Sequence, residues 1–180
     1  MLGHGAGGSI DAPDLLAAKN AAHAERVTVV LVEQPYRVAG RRSAAPAAQL
    51  DTAWTAVLAH LHAGPLAGLP LAVGGRSSGA RVACRTAAAV GATAVLCLAF
   101  PLHPPRRSPD APLKTRLPEL EAVTVPVLVI QGRRDRFGIP PPAPGRQVVE
   151  VAGDHGLKSD LPAVTAAVRE WLREHVVRHA

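Results

Sequence analysis

Aromatic residues make up only 3% of the 180 positions. That argues against a surface that stacks nucleic-acid bases on exposed rings. Cysteine is nearly absent: Cys84 and Cys97 are the only two, and both sit in apolar stretches. A scaffold stapled by several disulfides is excluded, and the pair reads as reduced core residues in a reducing, cytoplasmic compartment. No run of about eighteen apolar residues is free of charge or proline, so no membrane span is expected. Acidic residues are outnumbered, 14 against 20 basic ones, which gives a net charge of +6 carried mostly by arginine. The basic residues are dispersed, as in Arg41-Arg42, Arg106-Arg107 and Arg133-Arg134, with no helix-length stripe. A solvated surface therefore accounts for them better than a nucleic-acid or acidic-lipid partner does.

What remains is apolar material, 48% of the chain, in alternating β-like and α-like stretches. The length suits one domain spanning residues 1–180 and a sizeable core. Helical spacing runs over residues 11–24, 46–63, 78–90 and 161–177, with a short helix in 113–122 broken at Pro118. On the second of these, Leu50, Trp54, Val57, Leu58 and Leu61 share a face, and the last carries His175 and His179 at its C-terminal end. Apolar strand-like runs cover 27–32, 69–73, 94–100, 126–131 and 147–151. Residues 33–37 and 41–46 read as loop, as do 101–112 and 139–144, which are dense in proline. Strand and helix in alternation demand parallel strands joined by right-handed crossovers, and in such sheets sites lie beyond the carboxyl ends of the strands.

The strongest of those strand ends is Gly74-Gly75-Arg76-Ser77-Ser78-Gly79-Ala80, which contains Gly-x-Ser-x-Gly between a strand and a helix. A strand that turns into a helix at one residue strains that residue, and small neighbours two positions away let the chains pass. The turn lifts the Ser77 hydroxyl clear of the sheet and aims a helix N-terminus at it. An incidental serine in a glycine turn is the plainer alternative. Asp135 follows the fourth strand-like run and His155 the fifth. A serine hydroxyl needs an imidazole to take its proton, and the imidazole needs a carboxylate to fix its tautomer. Asp135 could instead be a surface acid beside Arg133, Arg134 or Arg136, and His155 a plain loop histidine. Asp154 is too near His155 in sequence to reach round to its ring, and it more naturally shapes the turn. At the start of the chain, His4-Gly5-Ala6-Gly7-Gly8 can turn sharply and present N–H groups inward, so the amides of Ala6 and Ser78 are the candidate oxyanion hole. The alternatives there are a flexible glycine-rich terminus or a phosphate cradle, the latter disfavoured because no Gly-Lys-Ser/Thr follows.

Taken together, the His4–Gly8 segment, Glu33-Gln34-Pro35-Tyr36-Arg37, the Ser77 turn, Phe100-Pro101-Leu102-His103-Pro104, Gln131-Gly132-Arg133-Arg134-Asp135-Arg136-Phe137-Gly138 and Gly153-Asp154-His155 resemble a small, lidless bacterial α/β-hydrolase of the dienelactone-hydrolase-like branch. The likeness covers essentially the whole chain. It implies a doubly wound, mostly parallel sheet flanked by helices, with Ser77, His155 and Asp135 as a triad and neither cofactor nor metal. Dienelactone hydrolase itself uses a cysteine nucleophile, so its substrate is not implied. The fold also implies a central strand between the 27–32 and 69–73 runs and an antiparallel pair ahead of it, whereas only Met1 and Leu2 precede Gly3. An unfilled slot is the expectation, closed by residues upstream or by a partner, or else leaving the chain inactive.

The expected function is cleavage of a small ester or related acyl substrate through an acyl-enzyme, with an open cleft because residues 101–112 are too few for a helical lid. Tyr36, Arg37, Arg76 and His103 are candidate pocket-lining residues; Arg37 or Arg76 at the site would favour a substrate bearing a carboxylate, with a surface role for the arginines and a plain loop role for His103 as the alternatives. The alternative from another class is a non-catalytic interaction module on the same fold; a basic nucleic-acid binder is a third.

Overall fold

In the computed structural model, residues 1–42, 45–105, 108 and 112–177 are described. The expectations placed on Arg106-Arg107, on His179 and on much of the 101–112 connection lie outside them. Six strands form one sheet: β1 (Leu2–Gly3), β2 (Leu31–Val32), β3 (Ala72–Arg76), β4 (Ala94–Leu98), β5 (Val127–Gly132) and β6 (Arg146–Val151). Their order is β2-β1-β3-β4-β5-β6, and every neighbouring pair is parallel. The helices are α1 (Pro13–Ala24), α2 (Pro35–Val38), α3 (Ala47–His62), α4 (Ser78–Thr86), α5 (Leu117–Glu121) and α6 (Leu161–His175).

A parallel sheet covered on both faces needs apolar side chains on alternating sides of each strand. β4 and β5 supply them. Val95, Cys97, Val127 and Val129 face one core, shared with Leu50, Trp54 and Leu58 of α3 and Val82 and Ala83 of α4. Ala94, Leu96, Leu98, Leu128 and Ile130 face the other, shared with Leu15, Ala18 and Ala21 of α1 and Val164, Val168 and Trp171 of α6. Small alanines on α1 let it lie close against α6. Pro13 opens α1 at a position where a missing N–H does no harm. α6 starts at Asp160, whose Oδ1 accepts from the Ala163 N–H at 3.1 Å.

Several expected elements shift. The 69–73 strand becomes Ala72–Arg76, in ladder with Ala94–Leu98, while Leu69 is left 52% exposed. The 27–32 strand shrinks to Leu31–Val32, because its neighbour β1 offers only Leu2 and Gly3 to pair with. β1 lies where an unfilled slot was expected: Leu2 and Gly3 pair with Gly74 and Gly75 on one side and with Leu31 and Val32 on the other. β1 fills only the carboxyl-end part of that slot: directly below Met1 and Leu2, an apolar cavity of about 350 Å³ separates Val27–Val30 from Leu69, Pro70 and Leu71. Residues 33–37 are not all loop, since Pro35 starts the short α2. Pro118 likewise sits in the first turn of α5 and begins that helix instead of breaking it. On α3, Val57 is 37% exposed, so the buried stripe narrows to Leu50, Trp54 and Leu58.

Candidate active site

Ser77 joins β3 to α4 at φ 52°, ψ −107°, a left-handed conformation that a side chain adopts only under constraint. The constraint is close packing. A Cβ on Gly79 would run into the carbonyl oxygen of Gly3, and one on Gly75 would meet the same oxygen and the backbone of Gly79. Only glycine lets β1 and α4 pass this near each other. The result stands the Ser77 hydroxyl at the carboxyl end of the sheet, above the N-terminus of α4.

Two further loops converge on it. Asp135 follows β5 in a turn closed by its own N–H to the Gly132 carbonyl at 2.9 Å. The His155 loop follows β6 and is laced to that turn: Arg133 N–H reaches the Val151 carbonyl and Arg134 N–H the Gly153 carbonyl, each at 2.9 Å. Gly132 permits the overlap, since a Cβ there would collide with the Asp154 carbonyl. Ser77 Oγ lies 2.9 Å from His155 Nε2, and His155 Nδ1 lies 2.7 Å from Asp135 Oδ2. With the Nδ1 proton donated to the carboxylate, Nε2 is left to accept from the serine.

The carboxylate is itself held. Phe137 N–H donates to Asp135 Oδ1 at 2.9 Å, and Gln131 Nε2 donates to Oδ2 at 2.8 Å. Gln131 also reaches the carbonyls of Phe100 and Gly138. The motif around Asp135 contains Gln131 but does not by itself assign it a role. The available signal was a glutamine ending an otherwise apolar strand, where burial demands a partner. Phe137 was missed in the same way; its ring stands edge-on to the imidazole, 4.5 Å between centroids, and shields it on one side. Asp154 stays outside the line, accepting from the Gly156 N–H at 2.8 Å within its own turn.

The His4–Gly8 segment lies against the serine, since a Cβ on Gly5 would sit 3.4 Å from that of Ser77. His4 is fully buried and braces the segment, its Nδ1 donating to the Gly5 carbonyl at 2.8 Å and its Nε2 accepting from the Gln34 N–H at 2.9 Å. The amides of Ala6 and Ser78 donate to no backbone carbonyl among the described residues. Of the four expected pocket residues, Tyr36 is buried and spends its hydroxyl on the Ala6 carbonyl at 2.8 Å, so it supports the segment from beneath. Arg76 is held by Asp14 and by the His155 carbonyl. Arg37 lies half-buried in the last turn of α2. His103 does line a cavity, one of about 510 Å³ bordered also by Asp135, Arg136, Phe137 and Gly138. No cluster of three or more potential metal ligands occurs among the described residues.

Residues 1–159 match the family described as alpha/beta hydrolase domain. The chain is an α/β-hydrolase. Its fold is shared with solved members of that superfamily. A serine hydrolase without a lid from Xanthomonas campestris is 20% identical, with a TM-score of 0.73 over 96% of this chain and 80% of that one. Est1E from Butyrivibrio proteoclasticus, also solved with ferulic acid bound, is 16% identical, with a TM-score of 0.73 over 97% and 86%. The esterase domain of a Rhodothermus marinus protein is 16% identical, with a TM-score of 0.65 over 97% and 85%. No curated protein matches the sequence. No described helix of this α/β-hydrolase is long and apolar enough to cross a membrane.

Proposed function

We propose that this α/β-hydrolase is a serine hydrolase that cleaves a small ester or related acyl substrate through an acyl-enzyme. The single observation that carries the reading is the unbroken line from Ser77 Oγ through the His155 imidazole to the buried Asp135 carboxylate. In it, Ser77 Oγ attacks the acyl carbon while His155 Nε2 takes its proton. Asp135 keeps the imidazole in the Nδ1–H tautomer and offsets the charge it gains. The amides of Ala6 and Ser78, together with the N-terminus of α4, face the developing oxyanion. As the tetrahedral intermediate collapses, the proton on Nε2 goes to the departing alcohol. Water then enters, gives its proton to Nε2 and attacks the acyl carbon, and collapse of the second intermediate releases the acid and restores the Ser77 hydroxyl.

Within the family, the short 101–112 connection and the motifs around it support a place in the small, lidless, dienelactone-hydrolase-like branch. The cavity beside His103 and Phe137 is the candidate acyl or alcohol pocket. The free thiols of Cys84 and Cys97, in hydrogen-bond contact at 3.5 Å, fit a reducing compartment such as the cytoplasm. The reading includes neither a nucleic-acid nor a membrane partner. Its test is steady-state hydrolysis of p-nitrophenyl esters of increasing chain length. Saturable turnover that is greatest for short acyl chains and abolished in Ser77→Ala is the expected result. A folded chain that hydrolyses none of them is instead a non-catalytic module built on the fold.

A further inference from the structure

Arg76 immediately precedes Ser77, and its guanidinium is taken up by three separate parts of the chain. Nε lies 2.9 Å from Asp14 Oδ2, in the first turn of α1, as an ion pair rather than an aligned hydrogen bond. Nη2 donates to the backbone carbonyl of His155 at 3.1 Å. Nη1 packs against Gly5, where an added Cβ would come within 2.9 Å of it. The side chain is 18% exposed and that of Asp14 only 1%.

We infer that Arg76, oriented by Asp14, is a positioning residue that fixes the His155 backbone relative to the nucleophile. The inference rests on the hydrolase reading above and adds a function for a pair that reading leaves unused. The physical argument starts from β3. Its ladder with β4 places Arg76 opposite Leu98 and so fixes the origin of the side chain. A guanidinium is planar, so an ion pair at its Nε edge also sets where Nη2 points. Nη2 then ties the His155 loop to the strand that carries Ser77. The lacing of Arg133 and Arg134, by contrast, ties the same loop only to the Asp135 turn. Without Arg76, the imidazole keeps its hold on the carboxylate but loses its fixed distance to the serine. Stability does not explain the pair. Desolvation raises the pKa of Asp14 despite Arg76 beside it, and removing two charges from water offsets most of what their attraction returns. Nε and Nη2 are spent on Asp14 and on the His155 carbonyl, which leaves only Nη1, lying against Gly5, for any substrate carboxylate.

The experiment uses the full chain, p-nitrophenyl acetate and a fluorophosphonate probe, with rates expressed per folded molecule. In Arg76→Gln, kcat and the labelling rate of Ser77 both fall roughly 10- to 100-fold, the scale of a catalytic group displaced by about an ångström. KM stays within about 2-fold, because nothing that touches substrate has changed. Arg76→Lys keeps a charge facing Asp14 but lacks the fork that reaches the His155 carbonyl, and it follows Arg76→Gln rather than wild type. Asp14→Asn leaves the arginine in place with its orientation loosened, for a loss of roughly 3- to 10-fold. If Arg76→Gln does not fold, the other two variants carry the test. Unchanged kcat with a lowered melting temperature makes the pair a structural brace and overturns the inference. Unchanged kcat with a raised KM confined to carboxylate-bearing esters makes Arg76 a substrate ligand and overturns it equally. A folded wild-type chain that neither turns over nor labels overturns the hydrolase reading and this one with it. An active wild type matched by an equally active Arg76→Gln overturns this one alone.

Discussion

The two ends of α1 are each pinned by arginine and carboxylate, and they do opposite things. At the site end, Asp14 is buried against Arg76, and desolvation holds its pKa above the usual carboxylate range. At the far end, Glu25 receives Arg173 and Arg169 at 2.7 Å each, and those hydrogen bonds hold its pKa below that range. The two arginines there are 56% and 41% exposed, so they stay in water while covering a Glu25 carboxylate that is itself 10% exposed. One pair fastens α1 to α6 at the surface and favours the ionised acid. The other keeps a charge where water has been removed, which is disfavoured, beside the strand end that carries Ser77 and the loop that carries His155. The contrast teaches that burial beside the site serves geometry, while exposure at the opposite end serves stability.

The sharpest way to break that contrast is to separate activity from stability at the site end. Ser77→Ala is expected to lower kcat/KM for p-nitrophenyl acetate by about 10⁴-fold or more. Its melting temperature should stay within about 2 °C of wild type, because only a half-exposed hydroxyl is lost. Asp135→Asn comes next, with a loss of about 10³- to 10⁴-fold in kcat, since an amide no longer holds the imidazole in the required tautomer. Steady-state kinetics at fixed pH check both.

Gly79→Ala tests the backbone beneath the site. The added methyl meets the Gly3 carbonyl oxygen, so β1 or α4 must move. The expected cost is at least about 2–3 kcal/mol, or roughly 5–10 °C in melting temperature for a chain of this size. An unshifted melt would mean that the close approach of β1 and α4 is not a constraint.

The two ends of α1 also separate by pH. A raised folded-state pKa gives stability that is fully present below the unfolded pKa and lost as pH rises through the folded one. Relative to Asp14→Asn, wild type should therefore be most stable in acid and lose ground towards neutrality. Glu25 has a lowered folded-state pKa, so relative to Glu25→Gln wild type holds its advantage above the unfolded pKa and loses it as pH falls through the folded one. The Glu25 effect is the smallest of the set, and added salt should shrink it further. Melting temperatures of the three chains over about pH 3–8 settle whether the slopes are opposite.

The site was more legible in the sequence than the sheet that presents it. Ser77, Asp135 and His155 stand at the ends of strand-like runs, each marked by adjoining glycines, and local pattern carries that information. β1 was not legible, because two residues cannot display a period. The boundaries of β2 and β3 went wrong for a related reason, since parallel ladders extend only as far as a neighbour offers partners. α2 was hidden by Pro35, which signals a break when read alone but starts a helix when the residues after it can turn. Arg76 was read as a possible substrate ligand because Asp14 lies far back along the chain, and no spacing rule brings the two together. Gln131 and Phe137 were passed over because their work is to hold Asp135 and His155, and only the folded loops show what a side chain supports.

The account stands most directly on whether the Ser77 hydroxyl is activated. Incubation of the folded chain with a fluorophosphonate, followed by peptide mass spectrometry, measures this. The account predicts a single adduct on the peptide containing Ser77, absent in Ser77→Ala and formed far more slowly in Asp135→Asn. A folded chain that forms no adduct, or one that carries it on Ser78, would contradict it.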